Sequence, residues 1–317
     1  MNHHLIFDMH HLLHRMFFAI TDTNDAETIC AMSIHRTFHQ MNSMYKKYKP
    51  NNVVAAFDNS SWRKLHTTSS NAITHKKYKG NRRKDLTEEQ IIRFEIFDNH
   101  VSQFKTILKE KTGILILDGE LLEADDLIAG FIQKYENDKH TLISGDNDFL
   151  QLLRHPHLTI FDPIPEKNKT LEEYDFDPDY FIFHKCFRGD SGDNVMSSYP
   201  RLSSKKIKEA YTNEFNLENI MQHKFKVEYF DTTGNLIQKD YKTSEVYAEN
   251  LLLMDLTQQP EYIKELISAT IERNESQRSK YNMIEFMRYC NRMRLFSITE
   301  AVDQFSDVLV GHKNLIT

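Results

Sequence analysis

Cysteine is scarce in this 317-residue chain, which contains Cys30, Cys186 and Cys290 and no others. Far apart and odd in number, they make neither a disulfide framework nor a thiolate zinc site, and they read as reduced core residues. Long apolar runs are missing too, so no segment is expected to cross a bilayer. Met1-Asn2-His3-His4 lacks the basic-then-apolar order of a secretory signal. The expectation is a monomeric, cytoplasmic protein with no membrane partner, and no internal repeat is found. What is present, 40% hydrophobic residues and 11% aromatics, can fill one large core or two modest ones.

Acid is absent where base is concentrated. From Trp62 to Lys84 there are eight Lys or Arg (Arg63, Lys64, Lys76, Lys77, Lys79, Arg82, Arg83, Lys84) and no Asp or Glu, although the whole chain has a formal charge of −6. A local field of this kind suits a polyanionic substrate whatever the mean charge. Within this stretch Thr67 to Thr74 is polar, shows no apolar period and reads as mobile.

Acid is concentrated elsewhere. Leu122-Glu123-Ala124-Asp125-Asp126-Leu127-Ile128-Ala129 sets three carboxylates against apolar residues at the start of a helix. Charges about 5 Å apart in an effective dielectric of about 20 repel by roughly 3 kcal/mol, so a shared site needs a counter-ion or a shared proton. A hard divalent cation is the simplest remedy. Taken alone, acids in a first helical turn are also what the helix dipole favours.

The rest of the chain weighs on that choice. Leu5-Ile6-Phe7 reads as a buried strand ending at Asp8, and Val53 to Phe57 as another ending at Asp58. Ile114 to Leu117 precedes the Glu123 group, Thr141 to Ser144 precedes Gly145-Asp146-Asn147-Asp148, and Leu158 to Phe161 ends at Asp162. Between them the periodicity predicts amphipathic helices: Met9 to Ile20, Glu27 to Lys47, and a helix capped by Thr87-Glu88-Glu89-Gln90 that runs to Lys111. That last helix turns Ile91, Ile92, Phe94, Phe97, Val101, Phe104 and Leu108 inward and is stopped by Gly113. Apolar strands alternating with helices indicate an α/β fold, with a mainly parallel sheet covered on both faces and its functional crevice beyond the strands' carboxyl ends. A solvated helix start does not explain why Asp8, Asp58, Asp146 and the Glu123 group all follow strand ends. His3, His4, His10, His11 and His14 match no metal-ligand spacing and read as ordinary histidines.

After about Pro165 the alternation fades. Asp179 to Arg188, Ser203 to Phe215, Ser244 to Leu253, Tyr262 to Asn274 and Met283 to Arg294 read as helices, with a β-hairpin over 226–240 turning at Asp231 to Asn235. The domains predicted are 1–164, an α/β domain carrying a basic arch over 62–90, and a mostly helical 165–317. Gly189-Asp190-Ser191-Gly192-Asp193-Asn194 adds two acids three residues apart. Calcium loops do not fit, because neither Asp146 nor Asp190 opens an Asp-x-Asp-x-Asp-Gly pattern with an acid at its twelfth position. An aspartyl-nucleophile phosphatase does not fit either, since Asp8-Met9-His10 is not Asp-x-Asp.

Asp8 and Asp58 after strands, Tyr78-Lys79-Gly80-Asn81-Arg82, Glu123-Ala124-Asp125-Asp126, Gly145-Asp146-Asn147-Asp148 and Gly189 to Asn194 together resemble, in order and approximate spacing, the 5′-nuclease family. It includes flap endonucleases, the 5′-nuclease domain of bacterial DNA polymerase I, and bacteriophage 5′-exonucleases with phage ribonuclease H. The chain is most similar in kind to the free-standing phage enzymes, which would place it in a host cytoplasm.

The resemblance implies a PIN-like 5′-nuclease fold and two Mg²⁺ or Mn²⁺ ions about 4 Å apart for an in-line displacement. It implies one site formed by Asp8, Asp58, Glu123, Asp125, Asp126 and Asp146, and a second by Asp148, Asp190 and Asp193. Lys79 and Arg82 would be the catalytic cations of the arch. Lys76, Lys77, Arg83 and Lys84 would contact phosphates and Tyr78 would stack on a base. The implied substrates are 5′-flapped or branched DNA and RNA–DNA hybrid in replication or repair, with a single-strand-binding protein or clamp as protein partner.

The sequence departs from the family after the last acidic motif. Val195 to Lys208 has no glycine where the family has a glycine-containing helix-three-turn-helix, which counts against K⁺ held there by backbone carbonyls. Arg201, Lys205, Lys206 and Lys208 can still hold phosphates at a helix N-terminus. Two rivals stand beside this reading: a PIN-type single-strand ribonuclease, and a structure-specific DNA-binding protein that does not cut.

Overall fold

The structure is a computed structural model that describes residues 1–230 and 236–312. Along the chain the elements are β1 (His3–Asp8), α1 (Met9–Phe18), α2 (Ala26–Tyr48), β2 (Asn52–Ala56), α3 (Trp62–Thr68), α4 (Glu88–Lys111), β3 (Leu115–Leu117) and α5 (Ala124–Lys134). There follow β4 (Lys139–Ile143), β5 (Leu158–Asp162), β6 (Lys167–Asn168), α6 (Pro178–Arg188), α7 (Ser204–Thr212), α8 (Glu214–Met221), β7 (Lys224–Phe230) and β8 (Leu236–Lys242). The last are α9 (Thr243–Met254), α10 (Glu261–Ser276), α11 (Met283–Arg292), α12 (Phe296–Glu300) and α13 (Val302–Val310). Two compact units interleave in sequence: one takes 1–60, 85–169 and the described residues from Lys264 on, the other 61–84 and 170–263.

The first unit is built on a six-stranded sheet in the order β3-β2-β1-β4-β5-β6. β1 to β5 are parallel, and β6 returns antiparallel to β5. Every residue of β2, and β1 from His4 on, is buried, as expected of a parallel sheet covered by helices on both faces. Leu5, Phe7, Val53, Ala55 and Ile143 share one core with Leu13 and Phe17 of α1, Phe38 of α2, Phe97 and Phe104 of α4, Phe286 of α11 and Leu309 of α13. α5 packs on β1, β2 and β3, and Gly130 makes room for α10, since a Cβ there would lie 2.3 Å from Ile267 Cγ2.

Several expectations are corrected here. Thr87 does cap α4 with the reciprocal Gln90 bond, but Ile91 and Ile92 are 45% and 57% exposed rather than inward, because core contact starts only near Phe97. α4 does end at Lys111, as expected, and Gly113 also answers a tertiary demand: its N–H donates to Leu309 O at 2.8 Å and a Cβ would meet Val310 O at 2.1 Å. A single boundary near 164 would group α11 to α13 with the helical second half, whereas their apolar residues complete the core of the sheet.

The second unit holds α3, the basic segment, α6 to α9 and the β7–β8 hairpin. Tyr180, Phe183, Phe187, Leu202, Ile207 and Ala210 form one of its cores. The helix expected over Ser203 to Phe215 is instead two, because Asn213 accepts from Asn216 N and caps α8. α3 forms where no apolar period was visible, with Trp62 and Arg63 buried. β7 and β8 pair antiparallel, Phe230 opposite Leu236; the turn expected at Asp231 to Asn235 lies outside the described residues. Among the described residues no helix is long and apolar enough to cross a membrane.

Candidate active site

The carboxyl edge of the sheet gathers acids because each strand turns directly into the next segment. Asp8 is both the last residue of β1 and the N-cap of α1, accepting from His11 N at 3.3 Å, and Ser144 Oγ donates to its other oxygen at 2.8 Å. Asp58 lies two residues past β2 and accepts from Ala124 N at 2.8 Å, which ties it to the first turn of α5. Glu123 N-caps that helix, and its N–H donates to the buried Asp126 carboxylate at 3.3 Å. Asp146 N donates to Ser144 Oγ at 3.0 Å, and Asp148 N to Asp146 Oδ1 at 2.8 Å.

Asp8 carries the clearest electrostatic signature. Burial pushes its pKa up, the negative fields of Asp58 and Asp146 push further, and the Ser144 and His11 bonds only partly resist, leaving it at about 7. His11, 3.9 Å from Asp8, supplies little counter-charge because burial lowers its own pKa. His10 Nδ1 is buried without a hydrogen-bond partner, 4.0 Å from Asp58 Oδ2. Oxygen donors in mutual repulsion with an orphaned nitrogen at their margin fit a hard divalent cation.

The second unit binds its basic segment to its acidic loop. Tyr78 OH donates to Asp193 Oδ2 at 2.7 Å, Arg82 Nη2 to Asp193 Oδ1 at 2.5 Å, and Lys79 Nζ stands 4.0 Å from Asp193 Oδ2. Backbone joins them too: Lys79 N donates to Asp193 O at 2.8 Å, Asn81 Nδ2 to Ser191 O at 2.7 Å, and Asn194 Nδ2 to Lys77 O at 2.9 Å. Asp190 accepts from Gly192 N and Asp193 N and faces Lys185 at 3.2 Å. Burial works to raise its pKa, but Lys185 and those amides outweigh it and hold the carboxyl below the usual range.

The structure therefore brings Asp8, Asp58 and Asp146 into one field, with Glu123, Asp125 and Asp126 at the start of α5 and Asp148 bonded to Asp146. In the other unit it brings Tyr78, Lys79 and Arg82 onto Asp193. Tyr78 does not offer the expected stacking face: it is 5% exposed, packed with Ile182, Cys186 and Leu253, and its hydroxyl is engaged. Lys76, Lys77, Arg83 and Lys84 are exposed. Arg201, Lys205 and Lys206 are exposed at the start of α7, whose N-cap is Ser203, while Lys208 faces Asp175 at 2.6 Å.

Sequence reasoning missed cations at the acidic edge. Arg15 reaches Asp162 at 3.4 Å, and Lys169 Nζ donates to Gly145 O at 2.6 Å and to Asn147. No local signal marks Lys169, which arrives only because β6 turns back along β5. Asp118, directly after β3, is neutralised by Lys105 at 3.0 Å.

A parallel sheet edged with hard oxygen donors is the kind of site at which a divalent cation binds. The family model described as the 5′-3′ exonuclease N-terminal resolvase-like domain matches residues 3–181, and the chain belongs to this nuclease family. It is 26% identical over 236 residues to DNA polymerase I of Caldicellulosiruptor bescii, covering 70% of this chain and 26% of that protein. It is 27% identical over 188 residues to ribonuclease H of Enterobacteria phage T4, covering 56% of this chain and 58% of that one. The aligned region thus spans about a quarter of the first relative and a little over half of the second.

Among solved structures the fold matches a bacteriophage T5 protein co-crystallised with metal ions, at TM-score 0.62 and 18% identity over 87% of this chain and 99% of that one. It also matches the bacteriophage T5 flap endonuclease in a pseudo-enzyme–product complex with DNA and metal ions, at TM-score 0.61 and 18% identity over 87% and 98%.

Proposed function

We propose that this protein is a divalent-metal-dependent 5′-nuclease that removes 5′ flaps, and RNA primers with them, during DNA replication or repair. The observation that carries the reading is the mutual field of Asp8, Asp58 and Asp146 at the carboxyl edge of the sheet, where Asp8 is held at about 7. Membership of the family and the DNA and metal ions bound by the T5 relative support it.

The residues that would hold the ions are Asp8, Asp58, Glu123, Asp125, Asp126, Asp146, Asp148, Asp190 and Asp193. Bound there, two ions of the Mg²⁺ or Mn²⁺ kind supply water activation and neutralisation of phosphate charge. Ser144 holds Asp8 in orientation through its hydroxyl, and the Ala124 N–H does the same for Asp58. Lys79 and Arg82 present permanent positive charge to the scissile phosphate and its 5′ strand. Exposed Lys76, Lys77, Arg83 and Lys84, with Arg201, Lys205, Lys206 and Lys208, draw in the phosphate backbone, each individually replaceable. The products are a 5′ phosphate and a 3′ hydroxyl.

Incubating a 5′-labelled flap duplex with and without Mg²⁺ tests the proposal. Short labelled fragments that appear only with Mg²⁺ are expected. Cleavage confined to unstructured RNA would favour the PIN-type ribonuclease, and binding without cleavage the non-cutting protein.

A further inference from the structure

We infer that Glu249 of α9, with Lys239 and Tyr241 of β8, pins the base of the basic segment at Ile73–Thr74 and so sets where Lys79 and Arg82 stand against Asp193. All three are positioning residues, and holding two of them in place gives the β7–β8 hairpin its role. The effect on cleavage rests on the nuclease reading; the brace itself does not.

The backbone at Ile73–Thr74 is satisfied almost entirely from far along the chain. Ile73 N donates to Glu249 Oε1 at 2.6 Å and Thr74 N to Glu249 Oε2 at 2.9 Å. Lys239 Nζ donates to Ile73 O at 2.9 Å, and Tyr241 OH to Thr74 O at 3.4 Å. Both amides and both carbonyls of this dipeptide are thus held by side chains of one helix and one hairpin. A stretch that reads as mobile in sequence is fixed because its bonds are non-local. Glu249 is 4% exposed, and burying a carboxylate is costly unless donors converge on it. Here the two amides do so, with His66 Nε2 at 3.7 Å.

The same module also grips the acidic side. Ile73 packs with Met196, Tyr241, Val246, Phe225 and Val227, and Asn250 Nδ2 donates to Met196 O at 2.7 Å. Tyr199 stacks on His223, ring centroids 4.0 Å apart and planes nearly parallel, just before β7 begins. Four and five residues after Thr74, Tyr78 and Lys79 meet Asp193. The hairpin and α9 therefore hold both partners of that meeting.

Amide hydrogen exchange on the full chain, without metal or DNA, tests the brace. In Glu249→Gln the amides of 73, 74 and 77–82 are expected to exchange at least about 10-fold faster, with β1 to β5 unchanged. Lys239→Met, a milder variant, is expected to shift the same amides less, and Lys239→Arg to restore them. On the flap duplex Glu249→Gln is expected to lower kcat several-fold with KM little changed. Unaltered exchange at 77–82 in both variants would overturn the inference, as would a turnover loss that only tracks faster exchange throughout 170–263. A wild-type protein that does not cleave would remove the nuclease reading and leave the exchange result to decide the brace.

Discussion

At its amino edge the sheet starts in histidine, and at its carboxyl edge it ends in acid: β1 runs from His3 and His4 to Asp8, and β4 leads from His140 to Ser144 and Asp146. Burial acts on both edges. It pushes His140 and His3 down to about 4, as it pushes Asp8 up to about 7. The consequences differ. At the amino edge each imidazole has a partner on at least one nitrogen, although His140 Nδ1 is buried without one: Asn52 Nδ2 donates to His4 Nδ1 at 2.9 Å, leaving Nε2–H to donate to Asp138 at 3.0 Å. His140 Nε2 donates to Tyr135 O at 2.9 Å, and the His4 and His140 rings stack 5.2 Å apart. A neutral imidazole completes that edge. At the carboxyl edge Asp8 stands in the negative fields of Asp58 and Asp146, an arrangement that a bound cation would relieve. Perturbed titration marks burial at one edge and, on the function proposed above, a metal site at the other, since the carboxyl edge is where parallel sheets bind ligands.

The comparison can be broken most forcefully at Asp146. Asp146→Asn is expected to lose flap cleavage by on the order of 10³-fold while binding DNA as well as before, read by single-turnover cleavage and anisotropy. Lys79→Ala is expected to lower turnover at saturating flap substrate by about 10²-fold; a fall in affinity alone would reduce its role to steering.

Asp8→Asn, measured on metal-free protein at pH 8, is expected to raise Tm by roughly 2–5 °C. Because the folded pKa of Asp8 lies above its ordinary 3.8, its contribution to stability falls as pH rises toward about 7, and removing the charge relieves that cost. The opposite sign applies at the amino edge. His140 and His3 titrate lower in the folded state than the usual 6.5, so stability is expected to fall as pH drops from about 6.5 to 4. Thermal melts of His140→Gln should show a shallower decline, and an unchanged slope would remove His140 from the account.

The central sheet is legible in the sequence because strands buried on both faces write themselves as apolar runs, and the acids stand where those runs stop. The strand runs alone place Asp8 and Asp58 at one edge. What is illegible is what distant residues decide. α3 has too few residues to show a period, and its buried Arg63 is anchored by donating to Leu253 O at 2.7 Å. Tyr78 beside a lysine looks like a stacking platform until Asp193, over a hundred residues on, takes its hydroxyl. Asn213 fits a helix interior or a cap, and only the Asn216 bond decides between them.

Calorimetric titration of Mn²⁺ into the full chain without DNA tests the central contrast most directly. The account expects saturable binding that Asp8→Asn weakens by about 10-fold or more and that His4→Gln leaves unchanged. Equal binding by wild type and Asp8→Asn, or a loss in His4→Gln alone, would contradict it.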